Sequence, residues 1–339
     1  MARPRTAALL FAFILSGCGG GGGGGGSSAA PPSAVSPSTS APAVVNTGNA
    51  STPAPDSQPV DQRALTVPEP GDSPAASAYG RLALGHNHTC AMMGEEIECW
   101  GNDNYHQTEV PNTIQEPLDI AAGDQNTCVM DAFNVTCWGI DGEDVFPIHG
   151  GIDVSTGGFH VCVIDLDGLW CYRGANDYGE IEVPVTVSNP TQVATGLTHT
   201  CVLDDNGVEC WGSNLYGESD VPELAHPRQV TAGANFTCAL DDNGVTCWGN
   251  DQFGQTDVPS LGEVISVSAG FSSACALDEY GVRCWGNNDQ HQLEANSLVD
   301  PMVIQPGTHH SCAIEADGKV VCWGYNAQGQ TDVPPDLAG

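Results

Sequence analysis

From about residue 79 onward the apolar residues fall into short runs separated by Gly, Asn and Asp. The run lengths suit strands. The segment 230–259, VTAGANFTCALDDNGVTCWGNDQFGQTDVP, shows the pattern most cleanly. Its β-forming runs are Val230-Ala232, Thr237-Leu240 and Val245-Trp248, each bounded by turn formers. No helical period of apolar positions extends over a useful window.

The same unit recurs, marked by paired cysteines: Cys90/Cys99, Cys128/Cys137, Cys162/Cys171, Cys201/Cys210, Cys238/Cys247, Cys275/Cys284 and Cys312/Cys322. The offset within a pair is 9 residues six times and 10 once, and successive leading cysteines are 38, 34, 39, 37, 37 and 37 apart. A period near 37 built of short antiparallel strands predicts an all-β, seven-bladed β-propeller, each blade covering the faces of its neighbours.

Turn chemistry explains the offset. Asp241-Asp242-Asn243-Gly244 separates Leu240 from Val245, and a hairpin loop of that length with Gly last sets Cys238 opposite Cys247. Asp165-Leu166-Asp167-Gly168, Asp204-Asp205-Asn206-Gly207 and Asp278-Glu279-Tyr280-Gly281 repeat it, and the leading Asp is placed to bond the turn backbone. In Asp131-Ala132-Phe133-Asn134 the asparagine is expected in the left-handed slot. Ala316-Asp317-Gly318 predicts a three-residue loop with a bulge, and Met93-Gly94-Glu95-Glu96 departs from the rule. Fourteen cysteines so placed predict one cross-strand disulfide per blade, each contributing about 2–3 kcal/mol on a chain-entropy model. The alternative is that the thiols stay reduced as small core residues.

The fifteenth cysteine, Cys18, ends a different segment. Arg3 and Arg5 precede an apolar stretch Ala7–Leu15, too short to span a bilayer, and Leu15-Ser16-Gly17-Cys18 follows. This tetrad resembles the lipobox of bacterial lipoproteins. The resemblance implies a signal peptide over 1–18, lipidation of Cys18 and, with Gly19 next, anchoring in the outer membrane of the bacterial cell envelope, facing the periplasm or the surface. Paired cysteines agree with an oxidising compartment. Residues 19–78 carry eight consecutive glycines and then Pro, Ala, Ser and Thr, which predicts a disordered tether with an end-to-end distance of roughly 40 Å. The propeller would then occupy 79–339.

Charge narrows the partners. The chain has 42 acidic and 8 basic residues, and removal of Arg3 and Arg5 leaves 6 basic. A field of that sign repels nucleic acid and anionic headgroups, so neither is an expected partner. A protein or cell-surface polymer bound by a monomer is expected instead.

The segments HTCVLDDNGVECWGSNLYGE (199–218) and HSCAIEADGKVVCWGYNAQGQ (310–330) resemble repeats of the regulator of chromosome condensation superfamily, most closely its short, cysteine-bearing bacterial form. The resemblance spans all seven units and implies a seven-bladed propeller. The eukaryotic namesake exchanges nucleotide on a nuclear GTPase and sits on chromatin, a role this exported, acidic chain without a basic arm gives no ground for. A second resemblance, to the propeller-type β-lactamase inhibitory protein, implies an enzyme-inhibitor-like binder.

Candidate functional residues follow from the repeat. Tyr105, Tyr178, Tyr216 and Phe253 occupy one equivalent position after C-W-G, with Gln290 and Gln328 there in the last two units; exposed aromatics would make a binding rim, and packing within the loop is the other role open to them. His88, His160, His199 and His310 stand two residues before leading cysteines, but Asn126, Phe236 and Ser273 share that slot, so hydrogen bonding at blade starts is expected ahead of a metal ring. The tryptophans after the second cysteines should pack between blades. The second unit is irregular: Asp141, Glu143, Asp144 and His149 mark either a drifted surface loop or a cation or acid/base group. Nucleophile-elbow, zincin, phosphate-loop and EF-hand patterns are absent, and no metal, cofactor or catalytic residue is assigned. A binding scaffold is therefore the leading expectation, with a hydrolase or lyase at the propeller mouth as the alternative.

Overall fold

A computed structural model describes residues 80–339 apart from positions 141, 175 and 296. The expected signal peptide, Cys18, the expected tether and Asp141 lie outside the described residues.

Twenty-two strands in seven antiparallel sheets make up the described chain. Blade 1 is β1 (Arg81–Leu84), β2 (His88–Met93) and β3 (Glu96–Gly101). Blade 2 is β4 (Asp119–Ala122), β5 (Asn126–Met130), β6 (Asn134–Gly139) and β7 (Asp144–Pro147). Blade 3 is β8 (Asp153–Thr156), β9 (Val161–Asp165) and β10 (Gly168–Tyr172); blade 4 is β11 (Gln192–Thr195), β12 (His199–Asp204) and β13 (Gly207–Gly212). Blade 5 is β14 (Gln229–Ala232), β15 (Phe236–Asp241) and β16 (Gly244–Gly249); blade 6 is β17 (Val264–Ala269), β18 (Ser273–Asp278) and β19 (Gly281–Gly286). Blade 7 is β20 (Pro301–Pro306), β21 (His310–Glu315) and β22 (Val320–Gly324). The fold is the expected seven-bladed propeller, with one disulfide inside each blade.

The first strands surround a central channel of about 460 Å³. The middle strands are buried along their length, because neighbouring blades cover both of their faces. Alternation then decides where each side chain goes. On β15, Phe236, Cys238 and Leu240 point toward blade 6 and join a cluster with Val267, Ala274 and Trp285. Full burial of each such large side chain is worth about 1.5–3 kcal/mol. The glycine that follows each first strand is explained by close approach: a Cβ on Gly157 would overlap the carbonyl oxygen of Gly196 in the next blade.

The hairpin register follows the turn chemistry. Leu240 pairs Val245 and Cys238 pairs Cys247, with Gly244 at φ +109°. One oxygen of Asp241 accepts the Asn243 N–H at 2.7 Å, and the other accepts the Ala225 N–H at 2.7 Å, tying the incoming linker to the turn. The departing first hairpin closes through Met93 opposite Glu96 and still sets Cys90 against Cys99. In the seventh, the Glu315 N–H bonds the Lys319 carbonyl at 2.8 Å across the three-residue loop.

The remaining hairpins hold the same register. Cys128 faces Cys137, Cys162 faces Cys171, Cys201 faces Cys210, Cys275 faces Cys284 and Cys312 faces Cys322. Each of these pairs is disulfide-bonded, with Cα atoms 4.0–4.1 Å apart. The seven bonds overturn the alternative of reduced thiols, and in six of the pairs the two members are not equally covered. All seven leading cysteines are fully buried on the middle strands, whereas Cys99, Cys171, Cys210, Cys247, Cys284 and Cys322 are only half-buried. The reason is position in the sheet: those six lie on edge strands at the outside of their blades. In blade 2 the outer strand is covered by β7, where Asp144 pairs with Cys137, and Cys137 is accordingly buried.

One turn expectation is overturned. Asn134 does not enter the left-handed region. The Asp131 carboxylate accepts both the Phe133 and Asn134 N–H groups, and Asn134 is held extended by pairing with Pro147 of β7.

Each sheet uses strands consecutive in the chain, so the first and last blades meet without exchanging a strand. Side chains close the ring. Thr89 donates to the Gln330 carbonyl at 2.9 Å and lies 2.7 Å from His310 Nε2, Trp100 Nε1 donates to the same carbonyl at 3.0 Å, and Leu82, Leu84 and Trp100 share a core with Ile314 and Val320.

Candidate binding surface

The propeller has a hairpin end, where the middle and outer strands turn, and a loop end, where C-W-G leads into the connecting loops. On the loop end one polar residue organises each regular loop. The buried side chain of Gln107, Glu180, Glu218, Gln255, Gln292 or Gln330 accepts the N–H of the residue two before it, at 2.7–3.0 Å. Those residues are Tyr105, Tyr178, Tyr216, Phe253, Gln290 and Gln328. The shared bond proves them equivalent.

The carbonyl of the same organising residue is gripped by the next blade. Trp100, Trp138, Trp211, Trp248, Trp285 and Trp323 donate Nε1–H to the carbonyls of Gln330, Gln107, Glu180, Glu218, Gln255 and Gln292 respectively, at 2.9–3.0 Å. Thr89, Thr127, Thr200, Thr237 and Ser311 donate a hydroxyl to the same set, leaving out only that of Gln255. Each bond contributes about 1 kcal/mol net, and together they fix the loop backbone on the neighbouring blade. The aromatic side chains stand out from this base: Tyr105 is 41% exposed, Tyr178 48%, Tyr216 54% and Phe253 45%. Nearer the axis on the same end, Phe159 and Phe271 are also exposed, two residues the sequence reasoning passed over although both come just after the glycines that follow β8 and β17.

The histidine slot is structural hydrogen bonding between blades. His88, His160, His199 and His310 place Nε2 at 2.7–3.0 Å from the hydroxyls of Thr127, Thr200, Thr237 and Thr89. Each threonine has already given its single proton to a carbonyl, so the ring donates from Nε2. Burial pushes these histidines down to about 4, and His310 to about 3, which keeps them neutral. Where the slot holds Phe236, the facing residue is Ala274.

The irregular second unit is a strand. β7 pairs with β6, Asp144 bonds Arg173 at 2.8 Å, and Phe146 packs on Tyr172 with ring centroids 3.8 Å apart. His149 meets Asp167 instead, at 2.6 Å on the hairpin of blade 3. Asp144 and His149 thus hold separate partners, and a convergent acid/base or cation group of Asp141, Glu143, Asp144 and His149 is not what the described residues of that segment form.

Titratable groups do converge elsewhere. At the hairpin end of the channel Arg81 bonds Asp119 at 2.8 Å, and the Asp153 carboxyl lies beside that of Asp119. Burial raises both carboxyls, Asp153 the more because Asp119 adds like charge beside it. Asp119 accepts the Ile120 N–H at 2.8 Å, and Asp153 accepts the Val193 N–H of blade 4 at 2.7 Å. Aligning the first strands would have found this pair, since Gln192 and Gln229 hold the same place and likewise accept a main-chain N–H from the following blade.

Among the described residues, Asp103, His106 and Glu109 form a group able to hold a metal ion, with donor atoms within 4.8 Å of one another and all three exposed. The hydrogen bond that its ring donates to Glu109 raises His106.

Comparison with known proteins agrees with this architecture. Residues 191–218, 228–255, 264–292 and 307–330 match the family described as Regulator of chromosome condensation (RCC1) repeat. No curated protein matches the chain in sequence. Among solved structures, the CRINKLY WD40 ectodomain of the Arabidopsis thaliana receptor kinase ACR4 is similar at TM-score 0.61 and 20% identity, covering 73% of this chain and 96% of that one. The entire ectodomain of the Physcomitrella patens receptor kinase CR4 gives 0.58 and 19%, covering 72% of each chain. Prp20p of Saccharomyces cerevisiae, described with its binding to Gsp1p and histones, gives 0.61 and 15%, covering 77% and 86%. At these identities the likeness is one of fold.

Proposed function

We propose that this chain, which carries regulator of chromosome condensation repeats closed into a seven-bladed propeller, is a non-catalytic binding scaffold. It is exported, held at the bacterial envelope by a lipid on Cys18, and presents its loop end to a protein or surface polymer. One observation carries this: four large aromatic side chains stand exposed at one repeated position, on loops whose backbones are locked to the next blade. Rigid aromatics offer wide contact area with little rotamer freedom to lose. Neighbours of the same fold, such as Prp20p, have protein partners named with them.

The test is in-cell cross-linking of the full chain and of Tyr105→Ala/Tyr178→Ala/Tyr216→Ala/Phe253→Ala. A species captured by the parent and lost with the fourfold variant supports the rim. Equal capture by both contradicts it. Anchoring is tested separately: Cys18→Ser should move the chain from the membrane to the soluble fraction.

A second reading, an enzyme working at the channel, draws on Asp119 and Asp153 beside Arg81. Both carboxyls accept a main-chain N–H across a blade junction, from Val154 and Val193 respectively, which favours a structural role. Asp153→Asn would leave binding intact under the scaffold reading, and any hydrolytic activity lost with it would favour the enzyme.

A further inference from the structure

The rim carries charge as well as aromatic surface. Each aromatic loop adds exposed carboxylate of its own: Asp103 and Glu109 in the loop of Tyr105, Asp177 and Glu182 in that of Tyr178, Asp220 in that of Tyr216, Asp251 and Asp257 in that of Phe253. Cations are placed elsewhere. Of the five Lys and Arg among the described residues, Arg81, Arg228, Arg283 and Lys319 lie in the hairpin half of the blades. The fifth, Arg173, is 11% exposed and bonded to Asp144. The loop end thus carries four repeated units, on blades 1, 3, 4 and 5, each an aromatic with carboxylates close by in sequence, and no exposed Lys or Arg lies among them in the described residues.

An aromatic face next to a carboxylate suits a guanidinium or ammonium group, which is drawn by the ring quadrupole and by the charge at once. A neutral chain would gain only the first attraction, and an acidic one would be repelled. Repetition around the rim lets an extended chain with several cations engage more than one unit, so weak contacts add.

Resting on the rim reading above, we infer that the loop end binds a Lys/Arg-rich polypeptide segment, with Tyr105, Tyr178, Tyr216 and Phe253 stacking on its cationic side chains and the carboxylates of the same loops pairing with them.

The test measures binding of three synthetic peptides of equal length, one Lys/Arg-rich, one Ser/Gly-rich and one Glu-rich, to the full chain and three variants. The first variant is Tyr105→Ala/Tyr178→Ala/Tyr216→Ala/Phe253→Ala, which leaves net charge untouched. The second, Asp103→Asn/Asp177→Asn/Asp251→Asn/Asp257→Asn, removes four charges from the loop end. The third, Glu95→Gln/Asp167→Asn/Asp205→Asn/Asp242→Asn, removes four from the hairpin end.

The Lys/Arg-rich peptide should bind best, and the first two variants should each weaken it by about tenfold, the combined effect of a few exposed cation–π or ion-pair contacts. The third should change it by less than about twofold. Replacing the three tyrosines by Phe keeps the ring faces and should keep binding, which separates recognition from misfolding. Equal binding to all variants would mean net charge alone attracts the peptide and would overturn the inference. So would the lack of any preference for the cationic peptide. The rim reading fails independently, only if the cross-linked species survives the fourfold aromatic change.

Discussion

Two blade junctions show what the repeat is made of. Between blades 4 and 5 every donor has its acceptor: His199 meets Thr237, while Thr237 and Trp248 both donate to the Glu218 carbonyl. Between blades 2 and 3 the loop that would carry this carbonyl is replaced by β7, and the donors have gone with it. Val161 stands in the threonine position, Tyr172 in that of tryptophan, and Asn126 in that of histidine, bonding Thr156 at 3.3 Å. Phe146, Trp170 and Tyr172 fill the space with packed rings, 5.2 Å apart between Trp170 and Tyr172. Junction side chains therefore come as a set. A buried donor kept without its acceptor would cost about 1–3 kcal/mol, and changing the whole set avoids that.

Acid should expose the contrast most strongly. In the unfolded chain the junction histidines take up protons near pH 6.5, whereas in the fold they do so only near 4, or about 3 for His310. Between those values the unfolded chain binds more protons, so stability is fully present above about pH 6.5 and falls as pH drops toward 4. Each histidine contributes up to about 3 kcal/mol of that loss. His199→Phe/Thr237→Ala, copying the Phe236 and Ala274 pair, should reduce the pH slope of denaturant stability by about one proton. An unchanged slope would show that these rings are not what acid attacks.

Removing a disulfide comes next. Cys238→Ser/Cys247→Ser should lower stability by about 2–4 kcal/mol in urea unfolding. The same change at Cys128 and Cys137 should have a smaller effect, since β7 adds four register partners to that hairpin's outer strand. Trp248→Phe, which removes one of the two donors to the Glu218 carbonyl, should lose about 1–2 kcal/mol, and Tyr172→Phe less, because its hydroxyl meets the weak partner Cys137 Sγ, at 3.3 Å. Asp144→Ala sits lowest, at about 0.5 kcal/mol, as its carboxylate is half exposed. Thermal melts rank these last two.

Local chemistry is what could be read along the chain. Asp at the turn start and Gly at its end set the hairpin register, which sets the cysteine pairing, and the period counts the blades. The rim aromatics were legible because their position repeats relative to C-W-G. Less could be read where partners lie one repeat apart. A His–Thr bond 38–40 residues away, or 221 across the ring closure, leaves no local trace. Nor does a strand such as β7, whose Asp144–Pro147 run is brief and whose stability comes from Arg173 and Tyr172 of the next blade. The Asp119 and Asp153 pair was missed for the same reason: each acid looks ordinary until the seven first strands are brought round one axis. The joint change of Val161 and Tyr172 was the one hint available, since two slots departing together point to a common missing acceptor.

Hydroxyl-radical footprinting of the full chain on intact cells, set against the purified chain, bears most directly on which end makes contact. Protection of Tyr105, Tyr178, Tyr216 and Phe253, with Phe133, Leu166 and Tyr280 at the hairpin tips still reactive, is the predicted result. Protection confined to those hairpin tips, with the four rim aromatics as reactive as in the purified chain, would contradict the account.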